Sequence, residues 1–135
     1  MAKSVIVDAG VLVALVRRRD RCHRWATAQA KRWSAPWLTC ESALSEAFFL
    51  AGVTGRNSLS QLLRRKAVEV RFDLASEHEP VLALMERYSN VPMSLADACI
   101  VRMTETLADP LVLTTDSDFH VYRRHSRQVV PCLLP

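Results

Sequence analysis

The chain has 135 residues, of which 50% are hydrophobic and 24% charged, and it carries a formal net charge of +4 with a pI of about 9.2. This length and composition predict a single globular domain over residues 1–135 and exclude a disordered or collagen-like protein. The positive charge permits a nucleic-acid partner without establishing one. The chain has only three glycines, and no glycine-rich phosphate-binding motif occurs in it.

The sequence also argues against membrane insertion and against a zinc ribbon. The most apolar stretch near the start, residues 4–16, is too short to cross a bilayer and contains Asp8. We therefore expect a cytoplasmic protein with no membrane partner. The four cysteines include no C-x-x-C pair, and we expect reduced, mostly buried thiols. These cysteines are Cys22, Cys40, Cys99 and Cys132.

In the first half of the chain, apolar runs alternate with helical patterns. Residues 4–7 are β-branched and predict a buried strand that ends at Asp8. Three helices are predicted next, at residues 9–16, 21–33 and 42–51, with a short extended piece at 36–39 before the third. The third helix is expected to stop at Gly52, and residues 53–57 are expected to form a linker.

The second half continues the alternation. We predict a helix at 58–66, a strand at 68–72, and a helix at 79–88 with Pro80 in its first turn. Ser94 is a suitable N-cap for a helix at 95–107, which precedes a buried strand at 111–114. A turn with a short helix at 115–124 and a last strand at 129–130 complete the chain. This order predicts an α/β fold with a central parallel β-sheet and helices on both faces.

Four acidic residues interrupt apolar sequence, where an ionised carboxylate is costly. Any one of them could be a helix cap or half of a buried ion pair, but few basic residues are placed to pair with all four. Two of them follow predicted strands, and open parallel sheets form their sites at the carboxyl ends of strands. The four are Asp8, Glu46, Asp97 and Asp116, and Asp118 lies two residues beyond the last.

Such carboxylates repel one another unless a cation lies among them. Oxygen ligands without a histidine or cysteine pattern favour Mg²⁺, with Mn²⁺ as a second choice, over Zn²⁺. Carboxylate-held Mg²⁺ commonly serves phosphoryl chemistry. The sequence therefore predicts a magnesium site that acts on phosphate esters.

The same residues lie in motifs that resemble those of PIN-domain proteins, the group that contains the VapC toxins of bacterial toxin–antitoxin pairs. The motifs are VIVD ending at Asp8, LSEA around Glu46, LADA around Asp97, and TTDSDF beginning at Thr114, which matches the family's T-x-D-x-D-F. Their order and spacing extend the resemblance over nearly the whole chain.

This resemblance implies a Rossmann-like PIN fold and Mg²⁺-dependent endoribonuclease activity. It implies that Asp8, Glu46, Asp97 and Asp116 are catalytic and bind metal, that Asp118 joins them as a metal ligand, and that Ser94 and Thr114 support the site. It also implies an RNA substrate, a cognate antitoxin and a homodimer. The chain departs from the family at Ala9 and Gly10, since a hydroxyl residue commonly follows the first aspartate.

An acidic centre repels RNA, so basic residues must bind the RNA backbone beside it. Fifteen of the eighteen basic residues are arginines, whose planar guanidinium suits phosphate contact. The run after the first predicted helix is the leading candidate, with a solvated face as the alternative. It consists of Arg17, Arg18, Arg19 and Arg21.

Two other functions remain open from the sequence. One is a nuclease-inactive PIN-like module that binds RNA or protein without cutting. The other is a phosphatase or receiver-like domain with Asp8 as the nucleophile. Gly10 replaces the second aspartate of one such class, and no lysine follows a late strand as the other class requires.

Overall fold

The structure is built on a parallel sheet of five strands in the order β3-β2-β1-β4-β7. It is a computed structural model, and it describes residues 2–135. The strands of this sheet are β1 (Ser4–Val7), β2 (Trp37–Thr39), β3 (Val68–Val70), β4 (Pro110–Leu113) and β7 (Cys132–Leu133). A separate antiparallel pair joins β5 (Arg123–Arg124) to β6 (Gln128–Val129).

Six α-helices flank the sheet in the described part of the chain, as the α/β prediction requires. Helix α1 packs against three other helices, α2, α3 and α4, whereas α6 packs against α5 and against strands β1 and β4. The helices are α1 (Ala9–Val16), α2 (His23–Arg32), α3 (Glu41–Leu50), α4 (Gly52–Arg64), α5 (Leu74–Arg87) and α6 (Leu95–Thr106), and a 3₁₀ turn covers Ser117–His120. The predicted fold class is confirmed.

The strand order reverses between β1 and β4. From β1 the chain adds β2 and β3 on one side, then crosses to place β4 on the other side. The two strands pair in register from Ser4 with Pro110 to Val7 with Leu113, so they end at the same level. In an open parallel sheet such a reversal leaves a crevice outside the carboxyl ends of the two strands.

The centre of the core lies on these two strands and on the helices packed against them. Ile6, Val7, Val112 and Leu113 are fully buried, which explains why both strands are continuously apolar rather than alternating. Leu12 of α1 is also fully buried. The buried strands and α1 together hold the residues that follow β1 and β4 in fixed positions.

The predicted linker at residues 53–57 is wrong, because α4 begins at Gly52 and runs through it. Glycine, threonine and asparagine in this stretch indicated a loop. Gly55 is buried, and a Cβ added to it would lie 3.3 Å from the Val16 side chain. The close packing of α4 on the end of α1 thus overrides the weak helical propensity of these residues.

Helix α5 begins at Leu74, so the prediction that Pro80 lies in a first turn is also wrong; Pro80 lies inside the helix. The Asp73 side chain accepts a hydrogen bond from the Ala75 amide at 3.1 Å and starts the helix early. Val81 and Leu84 are buried and hold the helix against the core on the far side of the proline.

The last predicted strand, at 129–130, belongs to the small antiparallel pair and not to the main sheet. Val129 pairs with Arg123, and Val130 lies outside any strand. The strand that completes the main sheet is Cys132–Leu133, which pairs with Val112 and Leu113 of β4. None of the helices in residues 2–135 is both long and apolar enough to span a bilayer.

Leu12→Ala should lower the free energy of unfolding by about 2–5 kcal/mol, because it leaves a cavity beneath the central strands. Leu82→Ala is the matched control: Leu82 is 46% exposed on α5, and its loss should cost about 0.5 kcal/mol or less. Urea denaturation of both variants measures the difference. Equal losses would contradict the placement of the core.

Candidate active site

A cavity of about 270 Å³ opens at the crevice between the ends of β1 and β4. Four separate parts of the chain meet there: the start of α1, the middle of α3, the start of α6 and the loop after β4. It is lined by Asp8, Ala9, Gly10, Glu46, Pro92, Ser94, Asp97, Thr115 and Asp116. The four acidic residues predicted from the sequence therefore share one cavity, and no basic residue lines it.

Asp8 is the most constrained of the acids. It directly follows β1, and its amide donates to the Leu113 carbonyl at 3.0 Å, which continues the β1–β4 pairing to this position. Its Oδ1 accepts from the Ala9 amide at 2.8 Å and caps α1, while its Oδ2 accepts from the Thr114 hydroxyl at 3.0 Å. Both carboxylate oxygens are thus fixed in direction, and each retains a lone pair for another ligand.

Asp97 is held at the start of α6 by a capping box. Its amide donates to the Ser94 hydroxyl at 3.0 Å, and its Oδ2 accepts from the Ser94 amide at 3.3 Å. The Tyr122 hydroxyl, which is fully buried, donates to the same Oδ2 at 3.0 Å. Tyr122 packs edge-to-face against Phe119 and Tyr88, so its hydroxyl is rigidly aimed. The other oxygen of Asp97 has no protein donor among the described residues.

Thr114 links the ends of the two central strands. Its hydroxyl is fully buried, donates to Asp8 and accepts from the Asp116 amide at 3.0 Å. Asp116 in turn accepts from the Asp118 amide at 2.9 Å through Oδ1, which turns the chain into the 3₁₀ turn. Asp118 is half-buried and does not line the cavity in the described structure, although its charge acts on Tyr122.

Burial and the charges of neighbouring acids make Asp8 and Asp97 harder to ionise. Burial, together with the charges of Asp97 and Glu46, raises the pKa of Asp8 from an ordinary value near 3.8 to about 6. Burial also raises the pKa of Asp97, and the charge of Asp116 adds to this effect. Asp8 and Asp97 therefore each experience the negative charge of neighbouring acids, and this repulsion is what a bound cation relieves.

These residues fit a hard divalent cation. Within residues 2–135, none of the four cavity acids forms an ion pair. Their donors are all carboxylate oxygens, which Mg²⁺ and Mn²⁺ prefer. The carboxylates share the cavity, but no three acidic, histidine or cysteine side chains of the described residues converge closely enough to enclose an ion. Glu46 is exposed on α3, and its longer side chain is the one with most freedom to move inward.

The family follows from a comparison with known protein families. The model of the PIN domain matches residues 5–124. The chain belongs to the PIN-domain family. That match contains β4, all of β1 except Ser4, and all four acids of the cavity. The resemblance seen in the sequence motifs is therefore confirmed at the level of the family.

A solved structure supports the same PIN fold. The chain resembles the crystal structure of Mycobacterium tuberculosis VapC20, described as a toxin that cleaves the sarcin-ricin loop, with a TM-score of 0.78 and 19% sequence identity. The alignment covers 87% of this chain and 94% of that one. At this identity the likeness concerns the fold. No curated protein sequence matches the chain.

The predicted RNA-binding arginines lie away from the acids. Arg17 follows the C-terminal end of α1, whereas Asp8 caps its N-terminus, and the eight residues between them span about 12 Å. Arg17, Arg18 and Arg19 line a larger cavity of about 550 Å³ with the start of α4. Arg21 is exposed beyond it. The structure thus separates an acidic cavity and an arginine-rich surface at opposite ends of one helix.

Two polar residues of the PIN-domain site were not predicted from the sequence. Tyr122 holds Asp97, and Thr115 lines the cavity beside Gly10. Tyr122 is 25 residues from Asp97, so only folding brings them together. Thr115 occupies the x position of the T-x-D motif, where the motif specifies no residue type, so the pattern gave no signal for it.

In metal-free protein, Asp8→Asn should be more stable than the natural chain near neutral pH. The pKa of Asp8 is about 6 in the folded state and near 3.8 when unperturbed. The folded state therefore binds more protons between those values, and the free energy of unfolding falls as the pH rises through them. The Asp8→Asn side chain does not ionise, so this variant avoids the loss of unfolding free energy, which is worth up to about 3 kcal/mol.

Urea denaturation in a chelator at about pH 4 and about pH 7.5 tests this expectation. The gain of Asp8→Asn should be present at the higher pH and small at the lower one. Asp109→Asn, at an exposed site paired with Lys3, is the control and should show no such gain. A destabilised Asp8→Asn at the higher pH would contradict the raised pKa.

Proposed function

We propose that the protein is a metal-dependent endoribonuclease that hydrolyses phosphodiester bonds of RNA with Mg²⁺, or with Mn²⁺ in its place. The observation that carries the proposal is the meeting of four unpaired carboxylates in one cavity at the strand reversal of a PIN domain. The activity belongs in the cytoplasm, where RNA substrates occur. A bound cation would supply Lewis-acid stabilisation of the charge that develops on the phosphate oxygens.

The residues of the cavity are proposed to have different roles, which depend on how firmly the structure holds each side chain. Asp8 and Asp97 are buried and fixed by hydrogen bonds, so they are suited to hold the cation, with Asp116 as the third ligand. Glu46 is exposed on α3, which suits it to orient the attacking water or to complete the ligand set. Asp118 is proposed to join through water, because its amide is bonded to Asp116 while the residue does not line the cavity. Ser94 and Thr114 position the aspartates.

The RNA would extend from the acidic cavity to the arginine-rich surface. A few nucleotides span the length of α1, so phosphates on one side of the cut can contact Arg17, Arg18, Arg19 and Arg21. The acids repel the RNA backbone, and these arginines offset the repulsion at a distance that leaves the cation site free.

As a VapC-like protein, the chain is proposed to be the toxin of a toxin–antitoxin pair and to form a homodimer. Phe49 and Val53 are 87% and 84% exposed, and Val53 lines the cavity that holds the arginines. Large exposed apolar side chains favour a protein contact. A nuclease-inactive PIN-like module that binds RNA or protein is the second candidate. It is favoured by the absence of three converged ligands in the described residues.

Asp97→Asn should lose cleavage by about 100-fold or more and should also lose stabilisation by Mg²⁺. Thermal unfolding with and without Mg²⁺ reports the cation, and gel analysis of ribosomal RNA, transfer RNA and a sarcin-ricin-loop oligonucleotide reports cutting. Asp109→Asn should behave like the natural chain. Cation-independent unfolding together with uncut RNA would favour the non-cutting module.

Arg18→Gln combined with Arg19→Gln should weaken RNA binding and lower the slope of log Kd against log salt by about 2, since two phosphate contacts are lost. The control, Lys31→Gln with Arg127→Gln, removes the same charge from exposed residues outside that surface. Fluorescence anisotropy of a labelled mixed-sequence RNA measures both. Equal slopes for the two double variants would contradict an RNA contact at the arginine-rich surface.

A further inference from the structure

Gly10 and Thr115 form a close pair across the mouth of the acidic cavity. A Cβ built on Gly10 would lie 2.3 Å from Thr115 Oγ1, closer than real Cβ contacts. The Thr115 hydroxyl therefore occupies the space that a side chain at position 10 would fill. Both residues line the cavity with the four acids. Only glycine at position 10 admits the hydroxyl there.

The Thr115 hydroxyl is also free to act. Thr114 uses its hydroxyl both to donate to Asp8 and to accept from Asp116, and Ser94 uses its hydroxyl to accept from Asp97. Thr115 is exposed, and its hydroxyl forms no hydrogen bond with residues 2–135. It is thus the one hydroxyl of the cavity lining without a structural task in the described chain.

The chemistry of the cavity gives that hydroxyl a use. Apart from Ser94, whose hydroxyl already accepts from the Asp97 amide, the other polar side chains that line the cavity are carboxylates, which only accept hydrogen bonds when ionised. The oxygens of a phosphodiester also only accept. A neutral hydroxyl is a donor that neither adds charge nor competes for the cation, and a hydrogen bond to a charged oxygen is stronger than one between neutral groups.

We infer that Thr115 contacts the substrate and donates a hydrogen bond to a non-bridging oxygen of the phosphodiester to be cut, and that Gly10 is required to make room for it. This inference rests on the proposed nuclease function and specifies a substrate contact within it. The chain lacks a hydroxyl at positions 9 and 10, and Thr115 supplies one from the loop after β4, in the space that a side chain at position 10 would fill.

The first test removes the hydroxyl and keeps the shape. Thr115→Val should lower kcat/KM on an RNA that the natural chain cuts by about 10- to 100-fold, whereas Thr115→Ser should stay within about threefold. The stabilisation by Mg²⁺ in thermal unfolding should be the same in Thr115→Val and the natural chain. Unchanged cleavage by Thr115→Val would overturn the inference, as would loss of its Mg²⁺ stabilisation, which would place the hydroxyl on the cation instead.

The second test moves the hydroxyl from position 115 to position 10. Gly10→Ser alone should clash with Thr115 and lose activity. Gly10→Ser combined with Thr115→Gly should recover cleavage relative to Thr115→Gly alone, because the new hydroxyl enters the space that Thr115 has left. The inference would be overturned if the double variant had the same Tm as the natural chain but cut RNA no faster than Thr115→Gly.

The third measurement does not depend on cleavage. In the Asp97→Asn background, anisotropy of a labelled mixed-sequence RNA should show several-fold weaker binding when Thr115→Val is added, and no change when Thr115→Ser is added. Equal binding by all three proteins would overturn the substrate contact. If the natural chain neither binds Mg²⁺ nor cuts RNA, the nuclease function fails, and this binding series still decides the role of Thr115.

Discussion

The structure depends on the way Asp8 is held at the junction of β1 and β4. Its amide extends the pairing of the two strands, its Oδ1 caps α1, and its Oδ2 receives the hydroxyl of Thr114. Each of these bonds fixes a different element relative to the carboxylate. The core strands are fully buried, so the junction cannot shift without disturbing the packing. A buried, immobile acid at a strand reversal is thereby the reference point around which the other acids are placed.

This arrangement works against stability. Three more carboxylates face the same cavity without a basic partner in the described residues. Burial, together with the charges of Asp97 and Glu46, raises the pKa of Asp8 to about 6. A sequence selected for stability alone would place an amide or an apolar residue there. The negative charge of these acids needs a positive charge to offset it, and a divalent cation supplies that charge without an additional side chain. Basic residues at the cavity would serve the same purpose but would occupy the space that a substrate needs.

The arginine-rich surface is instead separated from the acids by the length of α1. Arg17, Arg18 and Arg19 follow the far end of α1, whose eight residues rise about 12 Å from the acid that caps its start. At that separation in water the two groups of charges scarcely neutralise each other, since the interaction is screened over roughly one Debye length. The acids can therefore keep their affinity for a cation while the arginines attract the RNA backbone. Helix α1 thus sets both the distance between the acids and the arginines and the direction in which the arginines lie from the cavity.

The sequence by itself determined the acids, the strands that precede Asp8 and Asp116, the capping role of Ser94 and the PIN-domain family, because each is written in local patterns of apolar and polar residues. It failed where tertiary contacts override local preference: Gly55 packs on Val16 and extends α4 through a predicted linker, and the final strand pairs at 132–133 because β4 had an open edge. Only the tertiary structure decided that Tyr122 holds Asp97 and that Thr115 lies over Gly10. Such contacts join residues far apart in the chain, and no spacing rule encodes a distance that the packing of the whole domain sets.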